Sequence, residues 1–165
     1  MPFSPDDTPT IAAPAPNIVT KLEEFATIGR MSAEQQVYTL PWLLHLAGDI
    51  HQPLHVLQRF TQDFPRGDRG GNAVRLGGTS NLHSYWDSRL GTSQTERFLT
   101  QLVETIERRH PAPRQIDLNP THWADESFKL KDQVYAFTGR GTRESPAEWS
   151  DAYAVKARDV AYGRR

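Results

Sequence analysis

The 165 residues carry 19 Lys and Arg against 20 Asp and Glu, a formal net charge of -1, so no global basic field draws the chain to a nucleic-acid backbone or an anionic membrane. With no cysteine at all, a disulfide framework, a thiolate zinc ribbon, an iron–sulfur cluster and a thiol nucleophile are excluded, and any metal site must use His and carboxylates. The length suits one compact domain, and a 37% hydrophobic fraction with four Trp, five Tyr and seven Phe is too apolar for a wholly disordered chain.

In chain order, residues 1–16 hold five prolines (Pro2, Pro5, Pro9, Pro14, Pro16), a composition that cannot sustain a helix or a central strand and predicts an extended arm. The opening MPFSPDDTPT lacks the basic and apolar regions of a signal peptide, and no apolar run reaches the roughly 18 residues of a spanning helix. Residues 17–165 are expected to form one domain. Asn17 is a candidate N-cap for a helix over about 18–29, where Ile18, Leu22, Phe25 and Ile28 recur at helical spacing. Ser32 with Gln35 makes a capping box before Val37, Leu40, Leu43 and Leu44, and Pro41 predicts a kink or restart in a helix running toward Asp49. Residues 61–80, with PRGDRGG and LGGTS around AVRL, read as loop, short strand, loop. Helical spacing returns at Leu82, Trp86 and Leu90, at Phe98 to Ile106, around Phe128 to Phe137 and from Trp149 to Val160. The fold class is mainly α, with a small β-ribbon or loop near 61–80.

Two stretches carry chemistry, LLHLAGDIHQPLHV and NLHSYWD. His45 and Asp49 lie four apart on a helical pattern and project from one face, about one turn apart, where they can share an ion. His83 and Asp87 repeat His-x-x-x-Asp on the next helix, and His55 follows Pro53, where the chain has turned out of its own helix. Imidazole with carboxylate is the set zinc takes when thiolates are absent, and three protein ligands leave the open position of a catalytic site. His55, His83 and Asp87 supply that set. An isolated helical His is usually a surface or satisfied core residue; two His-x-x-x-Asp copies with a third His between them favour metal binding.

Other positions have plainer readings. His51 points off the face of Asp49 and suits a supporting or capping role. His110 sits at a helix end, where a cation complements the dipole, and His122 is left as structural. The pair Gly70 and Gly71 either makes a turn or lets the backbone pass close to a phosphate, with the Asn72 amide fixing a ligand or a substrate oxygen and Asp68 capping the same turn. Trp42 and Trp86 are assigned to the core.

HLAGDIHQPLHV, followed by DRGGN and NLHSYWD, strongly resembles the S-one/P-one nuclease family of zinc-dependent, single-strand-specific nucleases, similar in fold to zinc-dependent phospholipase C. The similarity extends through WADES and VYAF to the closing AYGRR. The resemblance implies a mainly helical nuclease-type domain binding three zinc ions. It makes His55, His83 and Asp87 the ligands of one zinc, and His45 and Asp49 two ligands of the neighbouring pair, with Asp49 bridging. It also implies hydrolysis of phosphodiester bonds in single-stranded DNA and RNA to 5′-phosphorylated products, with 3′-nucleotidase activity, on nucleic acid or nucleotides as substrates. Relatives are exported.

The family completes the zinc pair with an amino-terminal Trp, two His and an Asp from its first third. Here no His precedes His45 and residue one is Met, so the expectation is an N-terminally truncated, incomplete domain with one complete zinc site, unless a partner polypeptide supplies the rest. The alternatives are a phospholipase C-like phosphodiesterase and a non-catalytic zinc-binding fragment in which His55, His83 and Asp87 merely hold two helices together.

Overall fold

A computed structural model describes residues 1–77, 80–111 and 116–163. Among them are seven α-helices and one two-stranded parallel sheet, so the mainly α expectation holds. The expected strand region 61–80 includes residues 78 and 79, and the closing AYGRR includes Arg164 and Arg165, all outside the described residues.

The sheet joins β1 (Pro2–Phe3) to β2 (Gln58–Arg59), with Pro2 opposite Gln58 and Phe3 opposite Arg59. A strand led by proline is tolerated here because each strand has only one neighbour. The AVRL piece does not pair as a strand. Arg75 and Leu76 instead make isolated bridges to Asn81 and Ala147, the glycines around them turning the chain before a ladder can extend.

Helix α1 (Ile18–Phe25) begins at the predicted cap, where the Asn17 side chain accepts from the N–H groups of Val19 and Thr20. It ends earlier than expected. Thr27 Oγ1 donates to the Glu24 carbonyl at 2.8 Å, and the chain continues as a 3-10 turn at Ile28–Arg30. Helix α2 (Ala33–Asp49) has the predicted Ser32/Gln35 capping box. Pro41 neither breaks nor restarts it and lies inside one continuous helix.

The buried face of α2 differs from the predicted one. Leu43, Leu46 and Ala47 pack with Leu22, Ile50 and Ala124, whereas Val37, Leu40 and Leu44 are exposed. Trp42 is a correction: it is 46% exposed and edge-on to the His45 ring at 6.0 Å. It precedes Leu43 by one residue, about 100° around the helix from the face that packs. Trp86 is buried, as expected.

After α2 come a 3-10 turn (Pro53–His55), α3 (Leu82–Asp87), a 3-10 turn (Ser88–Leu90) and α4 (Glu96–Arg109), which His110 caps. The chain closes with α5 (Pro120–Lys129), α6 (Lys131–Val134) and α7 (Asp151–Gly163). Helix α1 packs on α2 and α5, and α7 on the Ser88–Leu90 turn. The larger core gathers Leu54, Leu57, Val74, Leu82, Trp86 and Tyr153. Leu54 and Leu82 are each almost wholly buried, so burial of these two alone contributes about 1.5–3 kcal/mol apiece and anchors the turn before His55 and the start of α3. No helix among the described residues is long and apolar enough to cross a membrane.

Candidate metal centre

Three elements meet at one cleft. Helix α2 delivers His45 and Asp49 from its last two turns, the Pro53–His55 turn delivers His55, and α3 delivers His83 and Asp87. Pro53 and Leu54 are buried, so the turn is pinned by packing on one side while His55 projects from the other.

The five side chains form a continuous chain of contacts. His45 Nε2 is 3.2 Å from Asp49 Oδ2, and that oxygen is 3.5 Å from His55 Nδ1. His55 Nε2 is 3.6 Å from Asp87 Oδ1, and His83 Nε2 is 3.6 Å from Asp87 Oδ2. The His55 and His83 rings lie 4.8 Å apart between centroids. One donor atom each from His55, His83 and Asp87 falls within 4.8 Å of the others, slightly wider than the span of two ordinary zinc–ligand bonds, so small side-chain movements would bring them onto one cation. His83 is the least exposed of the three.

Two hydrogen bonds aim these donors. His83 Nδ1 lies 2.7 Å from the Gly70 carbonyl; a carbonyl only accepts, so Nδ1 carries a proton, and in the neutral ring the lone pair is then on Nε2, the nitrogen toward Asp87. The Gln52 amide nitrogen donates to Asp87 Oδ1 at 2.8 Å, and the Gln52 carbonyl oxygen accepts the Leu54 N–H at 2.5 Å. Sequence reasoning misses Gln52; its position just before Pro53, a usual site for a turn cap, is the available signal.

His51 Nδ1 is 2.7 Å from the Ala47 carbonyl, and its ring lies 5.2 Å from Trp123. It lines the same cleft and is not a member of the His55, His83 and Asp87 group. Asn72 does not join the cluster. It is exposed, and its Nδ2 donates to the Arg69 carbonyl at 3.0 Å, closing its own turn. His122 has a partner that the spacing did not predict, since its Nδ1 is 2.7 Å from Asp117 Oδ2. Asp117 is held below the usual carboxylate range by the Asn119 N–H and by His122.

The cleft has a volume of about 800 Å3 and exposes His45, Asp49, His55 and Asp87 together with apolar surface from Leu90, Trp123 and Val160. That is the size and mixture of a small-ligand site. A row of imidazoles and carboxylates beside an apolar wall can hold cations, and through them an anion that the chain's own net charge would not attract.

Residues 5–164 match the family model described as S1/P1 Nuclease. The chain belongs to the S1/P1 nuclease family. Its members are zinc-dependent hydrolases, and the match runs through all five residues of the contact chain and the whole of the cleft described above. No curated protein matches the chain. Within this S1/P1 nuclease domain, His55, His83 and Asp87 form the one group of three or more such side chains among the described residues that could hold a metal ion.

Proposed function

We propose that the chain carries the metal centre of a zinc-dependent endonuclease acting on single-stranded DNA and RNA, with 5′-phosphorylated products and a 3′-nucleotidase activity at the same cleft. One observation carries the reading: within an S1/P1 nuclease domain, donors of His55, His83 and Asp87 converge to within 4.8 Å.

The donor set fits zinc. Two imidazoles and a carboxylate, with no thiolate in the chain, match a borderline cation that keeps one position for solvent or substrate. His55, His83 and Asp87 would hold one zinc; His45 and Asp49 would contribute to the neighbouring pair, with the Asp49 carboxylate between them. Bound zinc supplies the positive charge that lowers the pKa of its water and stabilises charge developing on the phosphoryl and leaving oxygens.

The protein's own groups prepare that chemistry. Gln52 orients Asp87 and the Gly70 carbonyl orients His83, so two ligands are aimed before any ion arrives and less ordering is lost on binding. Leu90, Trp123 and Val160 give part of the cleft an apolar wall, and a substrate seated against it would displace water and strengthen the charge interactions inside. The preference for single strands follows from the cleft's size, which admits one splayed nucleotide with its base on apolar surface.

The test is metal analysis together with a substrate comparison. The expected result is bound zinc after dialysis and release of acid-soluble nucleotides from denatured DNA, with no phosphocholine released from lecithin. Absence of bound zinc would overturn the reading, and phosphocholine release without nucleotide release would replace it with a phospholipase C-like activity.

A further inference from the structure

Behind the ligand group sits a carboxylate that takes no part in the proposed reaction. Asp68 is completely buried, a state carboxylates reach only when their oxygens are well supplied with donors. Its Oδ1 accepts the Arg59 N–H at 3.0 Å, its Oδ2 accepts the Tyr135 hydroxyl at 2.6 Å, and the Gly71 N–H bonds to it as well. These donors come from β2, from the residue that follows and caps α6, and from the glycine turn. The backbone adds two more ties, Asp68 N–H to the Arg59 carbonyl at 2.9 Å and Ala73 N–H to the Asp68 carbonyl at 3.0 Å. One buried side chain therefore fixes the turn that contains Gly70 and Gly71.

That turn meets the metal centre at His83, through two carbonyls. The Gly70 carbonyl receives His83 Nδ1 at 2.7 Å, and the Gly71 carbonyl receives the His83 backbone N–H at 3.4 Å. A neutral imidazole left in water moves its proton between both nitrogens, and while Nε2 is protonated it has no lone pair to give. A carbonyl held in place removes that freedom, provided the turn behind it does not drift.

We infer that Asp68 and Tyr135 are positioning residues for His83, fixing through the Gly70–Gly71 turn both the tautomer and the aim of the imidazole that faces Asp87. The inference rests on the reading of His83 as a zinc ligand, and it adds two residues that touch neither metal nor substrate. Tyr135→Phe removes one oxygen and leaves the ring that packs 5.5 Å from Phe3. The Asp68 oxygen then loses its donor in a buried place, and the turn relaxes to find another.

The experiment reads the histidine ring nitrogens by NMR in the zinc-free protein and zinc affinity by competition with a chelator. In the wild type His83 is expected in the Nδ1–H form before zinc is added. In Tyr135→Phe and in Asp68→Asn, its ring signals should move to a tautomer mixture and zinc affinity should fall about tenfold, the usual loss when a ligand's supporting partner is removed. Tyr153→Phe is the control. That hydroxyl is also buried, accepts from Trp86 and donates to the Val134 carbonyl, so its loss should lower stability while leaving the His83 tautomer and zinc affinity alone.

Unchanged His83 signals with zinc affinity within twofold in both variants would overturn the inference. So would an equal effect from Tyr153→Phe, which would mean general loosening. A wild-type protein that shows the Nδ1–H form and its loss in Tyr135→Phe, yet binds no zinc, would sink the metal reading while leaving the positioning intact.

Discussion

The Gln52 amide reaches Asp87 Oδ1 at 2.8 Å across 35 positions of sequence, and its other end caps the turn that presents His55. A single uncharged side chain thus ties the turn that carries His55 to the helix that carries Asp87. Gln52→Ala should weaken zinc binding about tenfold and, through the lost cap, lower stability by about 1 kcal/mol. Gln52→Glu should weaken binding too, because a second carboxylate replaces the donor beside Asp87. Chelator competition measures the first effect and thermal unfolding without zinc the second; unchanged affinity in both variants would show that Asp87 needs no such support.

The glycines divide by geometry. Gly70 has φ of +59°, and a Cβ there would sit 2.4 Å from the Leu54 carbonyl oxygen, a backbone atom that cannot move aside cheaply. Gly70→Ala should cost about 2–3 kcal/mol, combining a disfavoured backbone region with the clash. Gly48 lies within α2, and a methyl group added there would meet only open space, so Gly48→Ala should stabilise by roughly 0.5–1 kcal/mol through helix propensity. Urea unfolding of the two variants tests the contrast, and a stabilised Gly70→Ala would refute the account of the turn.

Much of this site is legible in the sequence because its signals are local. His45 with Asp49, and His83 with Asp87, share a helix face by spacing alone, and the caps at Asn17 and Ser32 need only a few neighbouring residues to be recognised. What sequence cannot supply depends on packing from afar. Trp42 reads as core because it is large and sits in a helix, but which side of α2 is covered depends on where α1 and α5 lie. Pro41 stays inside α2 because one lost hydrogen bond and a ring clash are offset by the packing of the turns that follow it, through Leu43, Leu46 and Ala47. The His122 and Asp117 contact spans a loop whose path no periodicity encodes, and the Asn72 amide closes its own turn with the Arg69 carbonyl.

Asp68 gives a pH signature. Burial is the largest influence on it and raises its pKa, outweighing the lowering by the Tyr135 hydroxyl, the Arg59 N–H and the Arg59 charge. A carboxyl whose folded pKa lies above its unfolded value, about 3.9, binds more protons folded than unfolded between those two pH values. Stability from this group therefore falls as pH rises from about 4 through the raised folded pKa. Asp68→Asn, which cannot titrate, should show a flatter profile over that window in urea unfolding of the zinc-free protein. An identical slope in variant and wild type would mean that Asp68 titrates normally despite its burial.

Asp49 and His51 are two residues apart and should behave very differently. Asp49 Oδ2 lies between two imidazoles, 3.2 Å from His45 Nε2 and 3.5 Å from His55 Nδ1, so its charge sits where two neighbouring cations would need to share it. Asparagine keeps the shape, loses the charge and turns one oxygen into a donor that faces imidazole nitrogens and any ion they hold. His51 spends Nδ1 on the Ala47 carbonyl of its own helix and lays its ring near Trp123, a contact that shapes the cleft wall. Asp49→Asn should therefore reduce hydrolysis of denatured DNA by about 100-fold, the upper end for loss of a group that directs a metal, and lower zinc content while the zinc assigned to His55, His83 and Asp87 stays, whereas His51→Ala should leave zinc content unchanged and cost less than about tenfold in rate. Zinc content and nucleotide release measured on the same preparations separate the two, and equal losses in both variants would show that the Asp49 carboxylate has no special place between the metals.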